Sequence, residues 1–165
     1  MDGRSELELL TVHPKLADAV RAAADALYKV GTAILVVSGR RTAAEQTELY
    51  AQGRTAPGHV VTNAKAGQSM HNYGLAVDVV PFLSGNSGAL NWNARTPQFE
   101  AMAAALKAQG LVWGGDWKRL KDYDHFQMPD CPVNPSTQMQ RDYGDGDKSA
   151  LQGVWAKYAE GKYKV

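Results

Sequence analysis

Residues 69–80 read SMHNYGLAVDVV, which joins a glycine turn to a short apolar run. The apolar and β-branched residues 75–80 predict a buried strand. Asp78 interrupts this run, and a carboxylate buried there needs a cation, hydrogen-bond donors or a metal ion as its partner. Gly74 allows a tight turn, which can bring His71 back towards Asp78. The segment therefore predicts a strand that carries a possible ligand pair.

The second histidine of interest lies in residues 122–128, which read DYDHFQM. If this segment is a strand, His125 and Gln127 share one face of it. Two imidazoles and one carboxylate leave the fourth position of a zinc ion open, as in catalytic rather than structural sites. His71, Asp78 and His125 are therefore candidate ligands. The residues alone leave an alternative open, in which both histidines are structural and Asp78 only accepts hydrogen bonds.

A hydrolytic metal site also needs a base for the attacking water and a positive donor for the developing oxyanion. Asp122 and Asp124 are the candidate bases, and a turn at Asp122 can bring its carboxylate over the metal. Arg40 and Arg41 follow a predicted strand at a glycine turn. That position suits a guanidinium directed inward.

The rest of the chain predicts a mixed order of helices and strands. Thr42 and Glu45 have the spacing of a capping box, which marks a helix start. The strands are few and short, so we predict a small α+β domain. With 165 residues, we expect one catalytic domain over 1–165, with its core at about 14–130 and a C-terminal tail. Helices are predicted at 14–30, from Thr42 to about 52, at 98–109 and at 148–160, and strands at 32–38, 75–80, 111–113 and 124–128.

Composition disfavours or excludes several classes of partner and metal site. The formal net charge is +1, which gives no electrostatic argument for a nucleic-acid partner. The single cysteine, Cys131, excludes an intrachain disulfide and a thiolate-type structural zinc site. We see no apolar signal-peptide core after the polar N-terminus and no run of about 18 apolar residues. We therefore expect no stable membrane insertion.

The two histidine segments carry a resemblance. Ser-x-His-x-x-Gly-x-Ala-x-Asp at 69–78, followed by Asp-x-x-His at 122–125, resembles the zinc peptidases of the D-alanyl-D-alanine carboxypeptidase and dipeptidase family. That family shares its fold with the hedgehog signalling domain. Residues 38–55 are similar to its entry region. WGGDW at 113–117 most resembles the L-alanyl-D-glutamate endopeptidase branch, which includes bacteriophage endolysins. The similarity runs from about 35 to 128.

The resemblance implies a fold and a set of residue roles. The fold is a small antiparallel sheet flanked by helices. Asp122 is implied to be the catalytic acid/base, and Arg41 to polarise the scissile carbonyl. Zn²⁺ is implied to be bound by His71, Asp78 and His125. The expected substrate-binding residues are Ser69, Gln46 and Trp113, although Ser69 can instead cap a turn and Trp113 can instead pack in the core.

The resemblance also implies a substrate, namely the peptidoglycan stem peptide cut between L-Ala and D-Glu. We expect a monomeric endolysin, made in the cytoplasm of a host bacterium, released by a holin-type partner and acting on the cell wall. Three alternatives remain. The protein can be a D-Ala-D-Ala carboxypeptidase or dipeptidase, a zinc-retaining wall-binding module without catalysis, or a metal-free interaction domain. The presence of Asp122 favours catalysis.

Overall fold

The computed structural model describes residues 1–84, 88–144, 146 and 148–164. Six α-helices and four β-strands lie within these residues. The helices are α1 (Gly3–Leu9), α2 (Pro14–Lys29), α3 (Ala43–Ala51), α4 (Pro97–Ala108), α5 (Thr137–Tyr143) and α6 (Lys148–Ala159). The strands are β1 (Ile34–Ser38), β2 (Ala76–Pro81), β3 (Val112–Trp113) and β4 (His125–Gln127). Two short 3-10 helices span Met70–Tyr73 and Gly114–Asp116.

The four strands form one sheet in the order β1-β2-β4-β3, and every neighbouring pair is antiparallel. The β2–β4 register sets Asp78 directly opposite His125. Directly opposed residues of an antiparallel pair have neighbouring Cβ atoms. The sheet thus brings together two candidate ligands that are far apart in sequence, and the predicted α+β class with a small antiparallel sheet is confirmed.

By internal contacts the chain divides into two compact units. The first unit comprises Met1–Gly39 and Ala76–Pro129, and it contains the sheet with α1, α2 and α4. Helix α4 packs on β2, β3 and α2, whereas α1 packs on β1. The large side chains at the centre of this unit are fully or almost fully buried, and their removal from water drives its folding. They include Leu16, Val20, Val77, Phe99, Met102, Leu106 and Phe126.

The second unit comprises Arg40–Leu75 and Asp130–Val165, and it contains α3, α5, α6 and the 3-10 helix Met70–Tyr73. The ring of Tyr73 lies 4.8 Å from that of Tyr143, centroid to centroid. The indole Nε1 of Trp155 donates a hydrogen bond to the Tyr73 carbonyl oxygen at 2.8 Å. The C-terminal helices α5 and α6 therefore support the 3-10 helix.

The predicted helices and strands are present with small shifts at their ends. The capping box is confirmed, since Glu45 N–H donates to Thr42 Oγ1 and Thr42 N–H donates to the Glu45 carboxylate. The last strand is shorter than predicted, because Asp124 and Met128 lie outside β4. Helices α1 and α5 were not predicted. Among the described residues, every helix is too short or too polar to span a bilayer. The single-domain organisation stays a prediction.

Candidate metal centre

Three side chains form a possible metal site. His71 lies on the 3-10 helix Met70–Tyr73, Asp78 lies in the middle of β2, and His125 begins β4. One ligand atom from each residue lies within 4.8 Å of the other two. His71 and His125 are buried, and Asp78 is half-buried. The three residues that the sequence pattern selected can together hold a metal ion.

The spacing of Asp78 and His125 fits shared metal ligands. His125 Nδ1 lies 3.5 Å from Asp78 Oδ1. Two ligands of a tetrahedral zinc-like ion, with bonds of about 2.1 Å, lie about 3.4 Å apart. Burial disfavours the charged imidazolium, but the hydrogen bond and the negative charge of Asp78 outweigh burial and raise the pKa of His125. The space between His125 Nδ1 and Asp78 Oδ1 therefore favours a positive charge.

Gln127 is a second polar partner of the His125 ring, opposite Asp78. Its Oε1 lies 3.1 Å from His125 Nε2, and the Gln127 side chain is buried. With its hydrogen on Nε2, the neutral ring donates to Gln127 and leaves the Nδ1 lone pair available to a metal ion, whereas the protonated ring donates to both Gln127 and Asp78. Metal-bound histidines commonly have such a hydrogen-bond partner for their second nitrogen. Gln127 therefore favours the neutral tautomer that can use Nδ1 as a ligand.

The turn that carries His71 is capped at both ends. Ser69 Oγ accepts a hydrogen bond from His71 N–H at 3.4 Å. Gly74 ends the 3-10 helix in the left-handed region, with φ of 61°. The His71 carbonyl oxygen accepts hydrogen bonds from both Gly74 N–H and Arg41 N–H, each at 3.1 Å. Ser69 thus acts as a cap here, and its contact with substrate stays a prediction.

Asn72 is a site residue that the sequence analysis missed. It is fully buried, and its Nδ2 donates to the carbonyl oxygens of Arg41 at 3.0 Å and Thr42 at 3.4 Å. Its Oδ1 accepts a hydrogen bond from Gly67 N–H at 3.0 Å. One amide therefore fixes the backbone of Arg41 to the turn that holds His71.

Arg41 and Gln46 are in direct contact. Arg41 Nη1 donates to Gln46 Oε1 at 3.3 Å, and Gln46 Nε2 donates to the Ala64 carbonyl oxygen at 2.8 Å. Gln46 is fully buried in α3. These contacts show Gln46 orienting the guanidinium, and its predicted role in binding substrate stays untested.

Asp122 lies beside His125. A Cβ added to Gly114 would lie 3.1 Å from the Asp122 Cβ and 3.2 Å from the His125 Cβ, so those two Cβ atoms are close to each other. Asp122 is exposed, and its side chain hydrogen-bonds with that of Asp124. Burial and this hydrogen bond raise the pKa of Asp124 to about 7. The sequence analysis named both carboxyls as candidate bases but did not predict that they interact with each other.

The two tryptophans of the 113–117 segment both contact residues of β4. Trp113 is half-buried, its Nε1 donates to the Tyr123 carbonyl oxygen at 2.6 Å, and its ring stacks on Phe126. The Trp117 ring lies 5.1 Å from the His125 ring. Trp113 thus holds the loop that carries Asp122, and a direct contact with substrate stays a prediction.

Comparisons with known proteins identify the family of this chain. A family model described as D-alanyl-D-alanine carboxypeptidase, of peptidase family M15, matches residues 62–128. The chain is 42% identical over 120 residues to the peptidoglycan L-alanyl-D-glutamate endopeptidase CwlK of Bacillus subtilis (strain 168), covering 68% of each protein. The chain belongs to the M15 peptidase family. The residues matched by the family model include His71, Asp78, His125 and Asp122, whereas Arg41 precedes them.

Two further relatives of this M15 chain are similar over parts of it. It is 29% identical over 119 residues to the L-alanyl-D-glutamate peptidase of Listeria phage A118, which covers 69% of this chain but 38% of the phage protein. The crystal structure of the L-Ala D-Glu endopeptidase ChiX of Serratia marcescens superposes with a TM-score of 0.52 at 28% identity. That match covers 78% of this chain and 88% of ChiX. The chain is thus an enzyme of a metallopeptidase family.

Proposed function

We propose that this M15 peptidase is a zinc-dependent peptidoglycan endopeptidase that hydrolyses the L-Ala–D-Glu bond of the stem peptide. The observation that carries the proposal is the close group of His71, Asp78 and His125, whose ligand atoms lie within 4.8 Å of one another. Two imidazoles and one carboxylate are the ligand set of an open, catalytic zinc site. The names of the three relatives supply the bond that is cut.

The residues of the chain have distinct tasks in this reaction. When bound by the three ligands, zinc supplies Lewis-acid chemistry. Asp122 accepts the proton of the attacking water and passes it to the leaving amine nitrogen. Asp124 holds the Asp122 carboxylate through their side-chain hydrogen bond. Arg41, oriented by Gln46, donates hydrogen bonds to the carbonyl oxygen as negative charge develops on it.

The same proposal includes a place of action. We infer synthesis in a bacterial cytoplasm, release to the cell wall through a holin-type partner, and action as a monomer. The phage relative supports the endolysin type. Lysis that requires co-expression of a membrane-permeabilising partner would support the release step, and lysis by the chain alone would contradict it.

Purified peptidoglycan tests the reaction. The metal-loaded protein should release new L-Ala carboxyl ends and new D-Glu amino ends, identified by mass spectrometry of the soluble peptides. A chelator should abolish release, and added Zn²⁺ should restore it. Activity that persists after the metal has been removed, or cuts at a different bond, would overturn the proposal.

Replacing Asp122 tests the proton transfer. Asp122→Asn keeps the shape but cannot accept a proton, so kcat/KM should fall about 100-fold or more while metal content stays unchanged. Asp116→Asn is the matched control, because Asp116 is an exposed carboxyl on the same segment that pairs with Lys107 instead. Full activity in Asp122→Asn would remove Asp122 from the mechanism.

A second candidate function is D-Ala-D-Ala carboxypeptidase activity, which the description of the family model favours. Both reactions use the same metal ligands. They differ in whether the residue after the scissile bond is the C-terminal residue of the substrate. Release of free D-Ala from a stem pentapeptide, without new D-Glu amino ends, would select this function.

A further inference from the structure

A cleft of about 270 Å³ lies beside the proposed acid/base. Two partly exposed aromatic side chains stand in it, with Trp92 61% and Tyr123 43% exposed. Large aromatic surfaces left in water inside a cleft commonly mark a contact with a ligand. The described residues that line the cleft are Trp92, Phe99, Lys121, Asp122, Tyr123 and Asp124.

Covalent geometry determines which part of the substrate reaches this cleft. To protonate the leaving amine, the Asp122 carboxylate must come within hydrogen-bond distance of that nitrogen. In an L-Ala–D-Glu bond the nitrogen belongs to D-Glu, whose α-carboxyl carbon is two bonds away, at about 2.5 Å. D-Glu has two carboxyl groups. If the stem peptide continues through the side-chain carboxyl, the α-carboxylate is free and lies within a few ångströms of Asp122.

A free substrate carboxylate close to Asp122 needs a cation, because two carboxylates at short distance repel each other. Lys121 is the cation among the described lining residues of the cleft. Its Nζ donates one hydrogen bond to the Gly115 carbonyl oxygen at 2.6 Å. An ammonium has three donors, so two can still reach a ligand.

The backbone before Lys121 is held in an unusual conformation. Leu120 has φ of 48°, in the left-handed region that L-residues rarely adopt, although its side chain is 81% exposed. Such a conformation persists where the surrounding structure imposes it, and it is common at ligand-binding segments. Asp122 N–H also donates to the Gly114 carbonyl oxygen at 3.2 Å. Lys121 thus lies between a residue in a strained backbone conformation and one whose backbone N–H is hydrogen-bonded.

We propose that Lys121 binds the free α-carboxylate of D-Glu in this cleft and makes the enzyme selective for an acidic residue after the scissile bond. Trp92 and Tyr123 flank the aliphatic part of the same residue. The inference rests on the proposed function, because it places the leaving amine at Asp122. To that function the inference adds a subsite that binds a carboxylate of the leaving group.

Two matched substrates test this subsite. One is a stem peptide whose D-Glu α-carboxyl is free, and the other is the same peptide with that group as a primary amide. The wild-type enzyme should cut the free acid with a kcat/KM about 10-fold or more above that of the amide, mainly through KM. Lys121→Met should lose this preference, and Lys121→Arg should keep most of it.

Lys118→Met is the matched control, because Lys118 is an exposed lysine on the same segment that does not line the cleft. It should keep the wild-type preference. Equal cutting of both peptides by the wild type, or an equal loss on both in Lys121→Met, would overturn the subsite while leaving the proposed function intact. A wild-type enzyme that leaves the L-Ala–D-Glu bond of both peptides intact would overturn the proposed function and the subsite together.

Discussion

Gln127 shows how a single neutral side chain prepares a charged site. Its amide oxygen lies 3.1 Å from His125 Nε2 and favours the Nε2–H tautomer, while Nδ1 lies 3.5 Å from Asp78 Oδ1. The contact between Gln127 and His125 forms because residues two apart on β4 lie on the same face of the strand. We therefore expect metal affinity to depend on a residue that does not itself bind the metal.

Replacing Gln127 by Leu should weaken zinc binding about 10- to 100-fold, because His125 loses the partner that fixes its tautomer. Gln127→Glu, which keeps an acceptor at the same position, should retain more of the affinity. Competition with a chromophoric chelator measures both values. Unchanged affinity in Gln127→Leu would show that the strand alone orients the ring.

At this scale the sequence predicts residues whose chemistry is unusual for their position. Asp78 interrupts an apolar strand, and the two histidines lie in motif spacing. Asn72 escaped prediction, because its partners Arg41 and Thr42 lie 31 and 30 residues away. The neighbouring sequence does not distinguish a buried asparagine that bridges two segments from an exposed one.

Among the elements, the turn before β2 requires a left-handed backbone conformation. Gly74 adopts φ of 61° directly between His71 and the strand that carries Asp78. A residue with a Cβ is disfavoured there by about 1–2 kcal/mol. The turn therefore connects two candidate ligands along the chain at a position where glycine is strongly preferred.

Gly74→Ala should lower the free energy of unfolding by about 1–2 kcal/mol and also weaken zinc binding. Gly110→Ala is the control, because Gly110 also has positive φ, at 85°, and a Cβ there would meet open space. Gly110→Ala should lower the free energy of unfolding by a similar amount and leave the zinc affinity unchanged. Denaturant unfolding and zinc titration separate the two effects, and equal zinc affinity in both variants would contradict the role of the turn.

The longer elements were predictable because their apolar spacing can be read over several turns. Helix α2 repeats that spacing over 16 residues and begins at Pro14 as predicted. Helices α1 and α5 have seven residues each, too few for a periodic pattern. Their N-caps, Asp2 and Ser136, are common residue types whose capping bonds become evident only in the folded chain.

For the whole molecule, metal binding should appear as thermal stability. An ion that binds only the folded state at 100 times its Kd adds about 2.7 kcal/mol. For a chain of this size that corresponds to a rise in Tm of roughly 5–10 °C. Calorimetry with zinc and with chelator measures the shift, and His71→Ala should remove it. A zinc-induced rise that survives in His71→Ala would place the ion elsewhere.

The bond from Trp155 to the Tyr73 carbonyl oxygen has a consequence for protein engineering. A fragment trimmed to the matched residues 62–128 would lack α5 and α6, and with them the support of the turn that carries His71. The C-terminal helices are therefore a poor place for a fusion joint. A wall-targeting or reporter module belongs after Lys164, where α6 and the Tyr163 hydroxyl bond to Asp142 stay intact.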